Sequence, residues 1–174
     1  MANSLRKAAP ADLPAIQGIV AGAQAFLRSM GVDQWQDGYP DQDVMLADMR
    51  DGNGYVLEDG SGAILGIATI IFGDEPAYAR IYDGAWETPE PYACIHRAAV
   101  RADQRGTGTA VAMMAAAERL VVERGFPGIR IDTHRDNLPM LTMLAKCGFK
   151  RCGVIYLEDG AEAGAERIAL EKRL

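Results

Sequence analysis

The segment that most constrains this chain joins an apolar strand to an apolar helix through a short glycine-rich turn. Residues 93–100 are mostly apolar and predict a strand, and the Ala- and Met-rich residues 108–124 predict a helix. Between them stand Arg105, Gly106 and Gly108. A helix start leaves backbone N–H groups without partners at the positive end of the helix dipole. Because glycines let a ligand approach the backbone closely, the turn predicts a phosphate or pyrophosphate site.

Two common nucleotide fingerprints do not fit this turn. A P-loop has Lys and then Ser or Thr directly after its last glycine, whereas Thr109 and Ala110 follow Gly108 here. The dinucleotide-binding pattern requires a third glycine, which is missing. The turn is therefore either a phosphate site of another kind or an ordinary strand-to-helix turn with a capped helix.

The turn resembles the acetyl-CoA-binding motif of the GCN5-related N-acetyltransferase (GNAT) family, Arg/Gln-x-x-Gly-x-Gly/Ala. Arg105, Gly108 and Ala110 occupy the three fixed positions of that motif. Val100 ends the preceding strand, as in the family. A single short motif of this kind is weak evidence, so a second match is needed.

Residues 137–149 resemble a later motif of the same family, in which Asn begins a helix that ends at Gly-Phe. Asn137 can cap this helix, Pro139 fits its first turn, and Gly148 is a natural left-handed stop. A helix and one strand separate the two motifs, as they do in the family. The resemblance therefore covers nearly the whole chain.

The apolar pattern of the whole chain predicts alternating strands and helices. In chain order we expect a strand at 5–8, a helix capped by Asp12, a helix capped by Asp41, strands at 54–58 and 63–72, a strand ending at Val100, a helix at 108–124, a strand at 128–134, a helix capped by Asn137, and strands at 150–158 and 166–171. This order indicates an α/β protein with a mixed sheet. The resemblance implies the GNAT type of sheet, with a splayed parallel strand pair and flanking helices.

Composition favours one domain over residues 1–174, because 49% apolar content can supply a full core. The three cysteines are an odd number without metal-type spacing, which favours a reducing, cytoplasmic location. The first seven residues lack an apolar signal core and no apolar run reaches membrane-spanning length, so we expect no membrane partner. The net charge of -6 argues against nucleic-acid binding.

The resemblance implies a donor site for acetyl-CoA that needs no metal. In the family, backbone groups of the splayed strand bind the pantetheine arm, and amides of the turn bind the pyrophosphate. The corresponding residues here are Ala98, Val100, Arg105, Gly106, Thr107, Gly108, Thr109 and Ala110, with Asn137 near the other wall of the cleft.

The implied reaction transfers an acetyl group directly to a primary amine of a small molecule or a protein. An alkylammonium stays protonated at neutral pH, so a base is needed to generate the nucleophile. A backbone N–H can polarise the thioester carbonyl. The departing thiolate needs a proton.

His96 is the first candidate for the base. It stands four residues before Val100 and shares its face of the strand if no bulge intervenes. Arylalkylamine members of the family carry a His at the same spacing, and imidazole suits proton transfer near neutral pH. The alternative is a histidine packed beside the cleft. The adjacent Arg97 should face the other side and have a structural role.

His134 is the second candidate, because it ends the strand at 128–134, and strand ends of this kind commonly carry ligand sites. The alternative is that the polar residues around it cap the next helix.

The usual family acid is absent, since Leu144 stands where many relatives have Tyr. Tyr156 is a candidate substitute acid, or else a half-buried strand aromatic. An acetyl-cysteine route through Cys147 or Cys152 is a further, weaker alternative.

Trp35 and Tyr39 are candidates for binding the acceptor amine. They stand in a loop with Asp33 and Asp37, and such a wall attracts cations. Trp86 is a further candidate for this wall. The alternative is that these aromatic residues fix the loop to the core.

These observations predict an acetyl-CoA-dependent N-acetyltransferase, and the family resemblance favours a homodimer. Leu144 supports one alternative, a non-catalytic acyl-CoA-binding module of the same fold, whereas His96 opposes it. A nucleotide-binding α/β domain is the other alternative; it would respond to ATP or NAD and not to CoA.

Overall fold

The structure, a computed structural model, describes residues 3–174. Its strands are β1 (Ser4–Lys7), β2 (Gly54–Glu58), β3 (Ile64–Phe72), β4 (Ala93–Val100), β5 (Gly128–Thr133), β6 (Lys150–Tyr156) and β7 (Glu166–Arg173). Its α-helices are α1 (Leu13–Ser29), α2 (Gln42–Arg50), α3 (Thr109–Glu123) and α4 (Leu138–Lys146). Over these residues, no helix combines the length and apolar character needed to cross a membrane.

The seven strands form one mixed sheet in the order β1-β2-β3-β4-β5-β7-β6. β3 is an interior strand, as its two apolar faces predict. β4 and β5 are the parallel pair, joined at Ala93 with Ile129 and at Cys94 with Arg130, while β4 continues to Val100. The predicted mixed sheet with a parallel pair and flanking helices is thus confirmed.

Contacts within the chain divide it into two compact units. The first unit comprises the described residues up to Ile70 together with Arg97–Ala117. The second comprises Ile71–His96 and Glu118–Leu174. The prediction of one domain over the whole chain stays a prediction.

The core of the first unit forms where the apolar faces of α1 and α2 pack on β2 and β3. Its buried members are Ile16, Ile19, Val20, Met45, Val56, Ile64 and Ile67. Three of them lie on α1 at the spacing of one helical face, which is the pattern that predicts this helix. Burying each such aliphatic side chain contributes about 1.5–3 kcal/mol.

The core of the second unit combines the irregular connection after β3 with strands β4, β6 and β7. Its buried members are Ala77, Tyr78, Tyr92, Cys94, Ile155 and Ala169. Tyr78 is 1% exposed, although it stands in a connection without regular periodicity. The connection therefore belongs to the core.

Two of the three predicted helix caps are present and one is not. Asp41 accepts the Val44 N–H in α2, and Asn137 accepts the Met140 N–H in α4. The carboxylate of Asp12 instead accepts the Ala9 N–H and binds Arg6 in a bidentate ion pair. A charged partner offers stronger hydrogen bonds than helix amides, so Asp12 fixes β1 to the start of α1.

A buried carboxylate organises the end of the second unit. Glu171 in β7 is 4% exposed and accepts hydrogen bonds from the Glu87 N–H, the Thr88 N–H and the Thr88 hydroxyl. Burial acts to raise the pKa of Glu171, but these hydrogen bonds outweigh burial, and the pKa lies below its ordinary value. Arg130, opposite Glu171 in the sheet, donates to the Thr88 carbonyl.

We expect Glu171→Gln to lower the free energy of unfolding at neutral pH by about 2 kcal/mol, because a charged acceptor of three hydrogen bonds is lost. The lowered pKa makes the contribution of Glu171 complete above the unfolded value of about 4.3. The contribution disappears as the pH falls through the folded value. Urea unfolding over this pH range should therefore show the two proteins converging in acid. The exposed Glu123→Gln is the control, and a difference that does not shrink in acid contradicts the assignment.

Candidate active site

The turn before α3 presents open backbone in the first unit. Gly106 and Gly108 have φ values of +76° and +90°, a left-handed conformation that favours glycine. A Cβ built at either glycine meets nothing within 4 Å, so the space beside this backbone is free. The first helical bond joins the Ala112 N–H to the Gly108 carbonyl, and the preceding amides are therefore the helix-start donors. This chemistry fits an anionic phosphate group.

Some of the predicted donors are used within the turn itself. The N–H groups of Arg105 and Thr107 lie 3.4 and 3.5 Å from the carbonyl oxygens of Ala102 and Gln104. The Thr107 hydroxyl donates to the Gln104 carbonyl, and the Thr109 hydroxyl to the Gln104 side chain. The hydroxyl groups shape the turn, and the amides of the two glycines and of the first turn of α3 are the groups suited to a ligand.

The side chain of Arg105 anchors the turn to α1. Its guanidinium donates to the Gly22 carbonyl at 2.8 Å and lies 4.4 Å from the centroid of the Phe26 ring. The Arg105 side chain thus fixes the turn to α1, and its predicted role in binding the donor stays a prediction.

Strand β4 contains a break in its regular extended conformation. Arg97 has a φ of +46°, which costs about 1–2 kcal/mol for a residue other than glycine. The simple alternation that would place His96 and Val100 on one face therefore does not apply across Arg97. His96 and Val100 are expected to share a face only if the strand between them is regular, and the left-handed Arg97 breaks that regularity.

The side chain of Arg97 is held by a network of hydrogen bonds within the first unit. It makes a bidentate ion pair with Asp48 at 2.7 Å for each contact and donates to the Tyr39 hydroxyl at 3.2 Å. The Thr69 hydroxyl donates to the same Asp48 carboxylate at 2.7 Å. Because Asp48 is also mostly buried, this network fixes the unusual backbone of Arg97 and the position of Tyr39 together.

The aromatic residues predicted to bind the acceptor contribute to packing. Trp35 is 8% exposed and lies in a cluster with Leu27 and Val32, against which Tyr39 also packs. Trp86, in the second unit, donates its indole N–H to the Tyr78 carbonyl. These contacts favour the alternative in which the aromatic residues fix the loops to the core.

His96 lies between two carboxylates of the second unit. Its Nε2 is 2.9 Å from Oε2 of Glu75, and its Nδ1 is 4.0 Å from Oδ2 of Asp132. The Tyr78 hydroxyl donates to the same Asp132 oxygen at 2.7 Å, and burial raises the pKa of Tyr78. The imidazole side chain remains 17% exposed, so it is accessible from solvent. A histidine with a carboxylate partner is the arrangement of a general base.

Sequence reasoning identified His96 but missed its partners as catalytic candidates. Glu75 and Tyr78 stand in a connection without periodicity, and Asp132 carries a polar side chain within an apolar strand. The available signal was this polar residue, because an acid near the end of a buried strand requires a partner.

His134 organises the turn that follows β5. Its Nδ1 accepts the Asp136 N–H at 3.1 Å and lies 3.8 Å from the Asp136 carboxylate. Asn137 then caps α4. These contacts favour the capping interpretation of His134.

Tyr156 and Asp132 lie on opposite faces of the sheet. Tyr156 pairs with Glu166, and Thr133 pairs with Ile168. Opposed residues share a face and side chains alternate along a strand, so Tyr156 shares the face of Thr133, next to Asp132 in sequence. The Tyr156 side chain therefore projects away from the face that carries Asp132.

The remaining candidates for proton and acyl transfer are weak. Leu144 is 0% exposed, and the ring of Tyr156 packs edge-on against Tyr82 at 5.3 Å. Burial raises the pKa of all three cysteine thiols, that of Cys152 to about 12. Thiols of this kind are poor nucleophiles, which opposes the acetyl-cysteine route.

Comparison with known proteins agrees with the fold and the motifs. The sequence matches the acetyltransferase (GNAT) family over residues 21–149, more than half of the chain. The structure is similar to a GNAT-family acetyltransferase from Streptococcus agalactiae, with 30% sequence identity, a TM-score of 0.87, and coverage of 99% of this chain and 95% of that chain. It is also similar to one from Listeria monocytogenes, with 22% identity, a TM-score of 0.72, and coverage of 99% and 95%.

A search of curated proteins found no match. The family match and the similarity to the Streptococcus agalactiae structure both extend over the two sequence motifs. The chain therefore belongs to the GNAT family of acetyltransferases and is an acyltransferase.

Proposed function

We propose that this protein is an acetyl-CoA-dependent N-acetyltransferase that acts by direct attack of a primary amine of a small molecule or a protein. The observation that carries the proposal is the placement of His96 against Glu75, beside Asp132. This cluster offers a proton acceptor on the same strand that leads to the glycine-rich turn.

The three free cysteines support a cytoplasmic location, and the homodimer stays a prediction.

The turn before α3 is the proposed site for the pyrophosphate of the donor. The free space at Gly106 and Gly108 and the helix-start amides support this role. Ala98 and Val100 are the proposed backbone contacts for the pantetheine arm, and Asn137 stays a predicted contact of the donor. The bound donor supplies an acetyl thioester, which is attacked at its carbonyl carbon and loses its thiolate.

The proposed role of the imidazole of His96 is to remove a proton from the ammonium group of the acceptor. The resulting neutral amine has the lone pair that attack requires. The Glu75 carboxylate stabilises the imidazolium that forms, as expected for a base with an acidic partner. His134 and Tyr156 are not assigned a chemical step, because their contacts serve the fold.

Acetyl-CoA should bind saturably in calorimetric titration, whereas ATP and NAD should not. We expect Gly108→Ala to weaken acetyl-CoA binding about tenfold or more, because its Cβ occupies space beside the phosphate-binding amides. Gly62→Ala is a matched control, since Gly62 has a φ of +85° and equally free space but lies in the β2–β3 turn. Binding of ATP in place of acetyl-CoA would support the nucleotide-binding alternative.

His96→Gln should lower kcat/KM for amine acetylation about 10²- to 10⁴-fold, the usual contribution of a general base, and leave the Kd for acetyl-CoA unchanged. Release of CoA thiol with a panel of primary amines provides the measurement. His134→Gln is the comparison, because His134 is the other histidine of the chain and supports a turn. Equal activity of wild type and His96→Gln removes His96 as the base. If acetyl-CoA binds tightly but no amine of the panel causes release of CoA thiol, the result favours the binding-module alternative.

A further inference from the structure

We propose that Asp132 binds the acceptor as an ammonium ion, that Nδ1 of His96 is the atom that takes its proton, and that Glu75 holds the imidazole in the required tautomer. This inference rests on the proposed function, because it divides the work of the same base among three side chains. It also defines the acceptor as an alkylamine that arrives charged. Glu75 acts as a positioning residue and Asp132 as a substrate-binding residue.

The contact with Glu75 determines which ring nitrogen carries the proton. An ionised carboxylate can only accept hydrogen bonds, so Nε2 of His96, 2.9 Å from Oε2 of Glu75, must be the protonated nitrogen. In the neutral ring, Nδ1 then holds the lone pair. The imidazole is thus prepared to accept a proton on the side that faces Asp132.

The separation of Nδ1 and Asp132 matches the distance that one ammonium nitrogen can bridge. Nδ1 and Oδ2 are 4.0 Å apart, too far for a direct hydrogen bond. A nitrogen placed about 2.8 Å from each atom can donate one proton to each. The Asp132 side chain is 8% exposed and therefore mostly shielded from solvent, which strengthens its attraction for a cation.

Tyr78 fixes the orientation of Asp132 without neutralising it. The Tyr78 hydroxyl donates to Oδ2 at 2.7 Å, and its ring centroid lies 5.9 Å from that of His96. A carboxylate oxygen accepts more than one hydrogen bond, so Oδ2 can bind an ammonium as well. With His96 neutral, the formal charges of Glu75 and Asp132 leave this cluster negative, which favours a cationic acceptor over a neutral one.

The proton transfer balances within the cluster. One N–H bond of the ammonium breaks, its electron pair stays on the amine nitrogen, and an Nδ1–H bond forms. The product is a neutral amine beside Asp132 and an imidazolium whose Nε2–H still faces Glu75. The positive charge has moved from the substrate to a ring that lies between two carboxylates.

The tautomer is tested by ¹⁵N NMR of histidine-labelled protein at alkaline pH, in a His134→Gln background so that one histidine remains. We expect the Nε2–H form in the otherwise unchanged protein. Glu75→Gln can turn its amide N–H₂ towards Nε2 and should shift the ring to the Nδ1–H form. An Nδ1–H ring with Glu75 present overturns the proposal.

The ammonium site is tested by titration with n-butylamine near neutral pH, where the amine is charged. Binding is followed through the ¹⁵N signal of Nδ1 of His96. Asp132→Asn should weaken this binding at least tenfold. Tyr78→Phe removes the hydrogen bond that orients Asp132 but keeps the carboxylate, so it should weaken the binding less than Asp132→Asn does. The exposed Asp74→Asn removes one acidic charge next to Glu75 and should have no effect. Absence of an n-butylamine response in the parent protein, or an equal response in Asp132→Asn, overturns the proposal.

Calorimetry separates this inference from the proposed function. Each variant should bind acetyl-CoA with the parent affinity, which also confirms that it is folded. If acetyl-CoA binds and His96→Gln abolishes acetylation, but Asp132→Asn binds n-butylamine normally, only the present inference fails. If acetyl-CoA does not bind at all, the proposed function itself fails.

Discussion

The ion pair of Arg97 and Asp48 is the constraint on which the strand carrying the site depends. A residue with a side chain seldom adopts the left-handed conformation of Arg97, so something outside its own backbone must maintain it. The bidentate contact to a mostly buried carboxylate, supported by Thr69, supplies that stabilisation. β4 can then carry an imidazole immediately before this residue and backbone donor-site candidates immediately after it. The backbone conformation of β4 at Arg97 therefore depends on a carboxylate from α2.

The sequence was sufficient to predict most of the fold and the proposed donor turn. Both have local signals: the apolar periodicity of α1, the Asp41 and Asn137 caps, and the two glycines before α3. The acid partners of His96 have none. Glu75 and Asp132 are 57 residues apart in the chain, and only the packing of the connection after β3 brings both to the imidazole. Likewise, the left-handed Arg97 depends on Asp48, a long-range partner that no periodicity predicts.

The contrast between His96 and His134 illustrates how environment separates two residues of one type. One has a carboxylate facing each ring nitrogen, and the other uses Nδ1 to accept a backbone N–H in a turn. Position at a strand end, which made His134 a candidate, says where a ligand site commonly lies but not how a side chain is engaged. The same applies to Trp35 and Tyr39, whose residue types suit cation binding but whose contacts are those of packing.

The suppressed acidity of the cysteines has a consequence for an enzyme that handles an activated ester. A thioester is an electrophile that also reacts with thiolates, so a protein that binds one risks acylating itself. Burial raises the pKa of Cys152 to about 12, so its thiol is protonated at neutral pH. Cys94 is fully buried, and burial raises the pKa of both Cys94 and Cys147. In each thiol, burial therefore disfavours the thiolate, the form that reacts with a thioester.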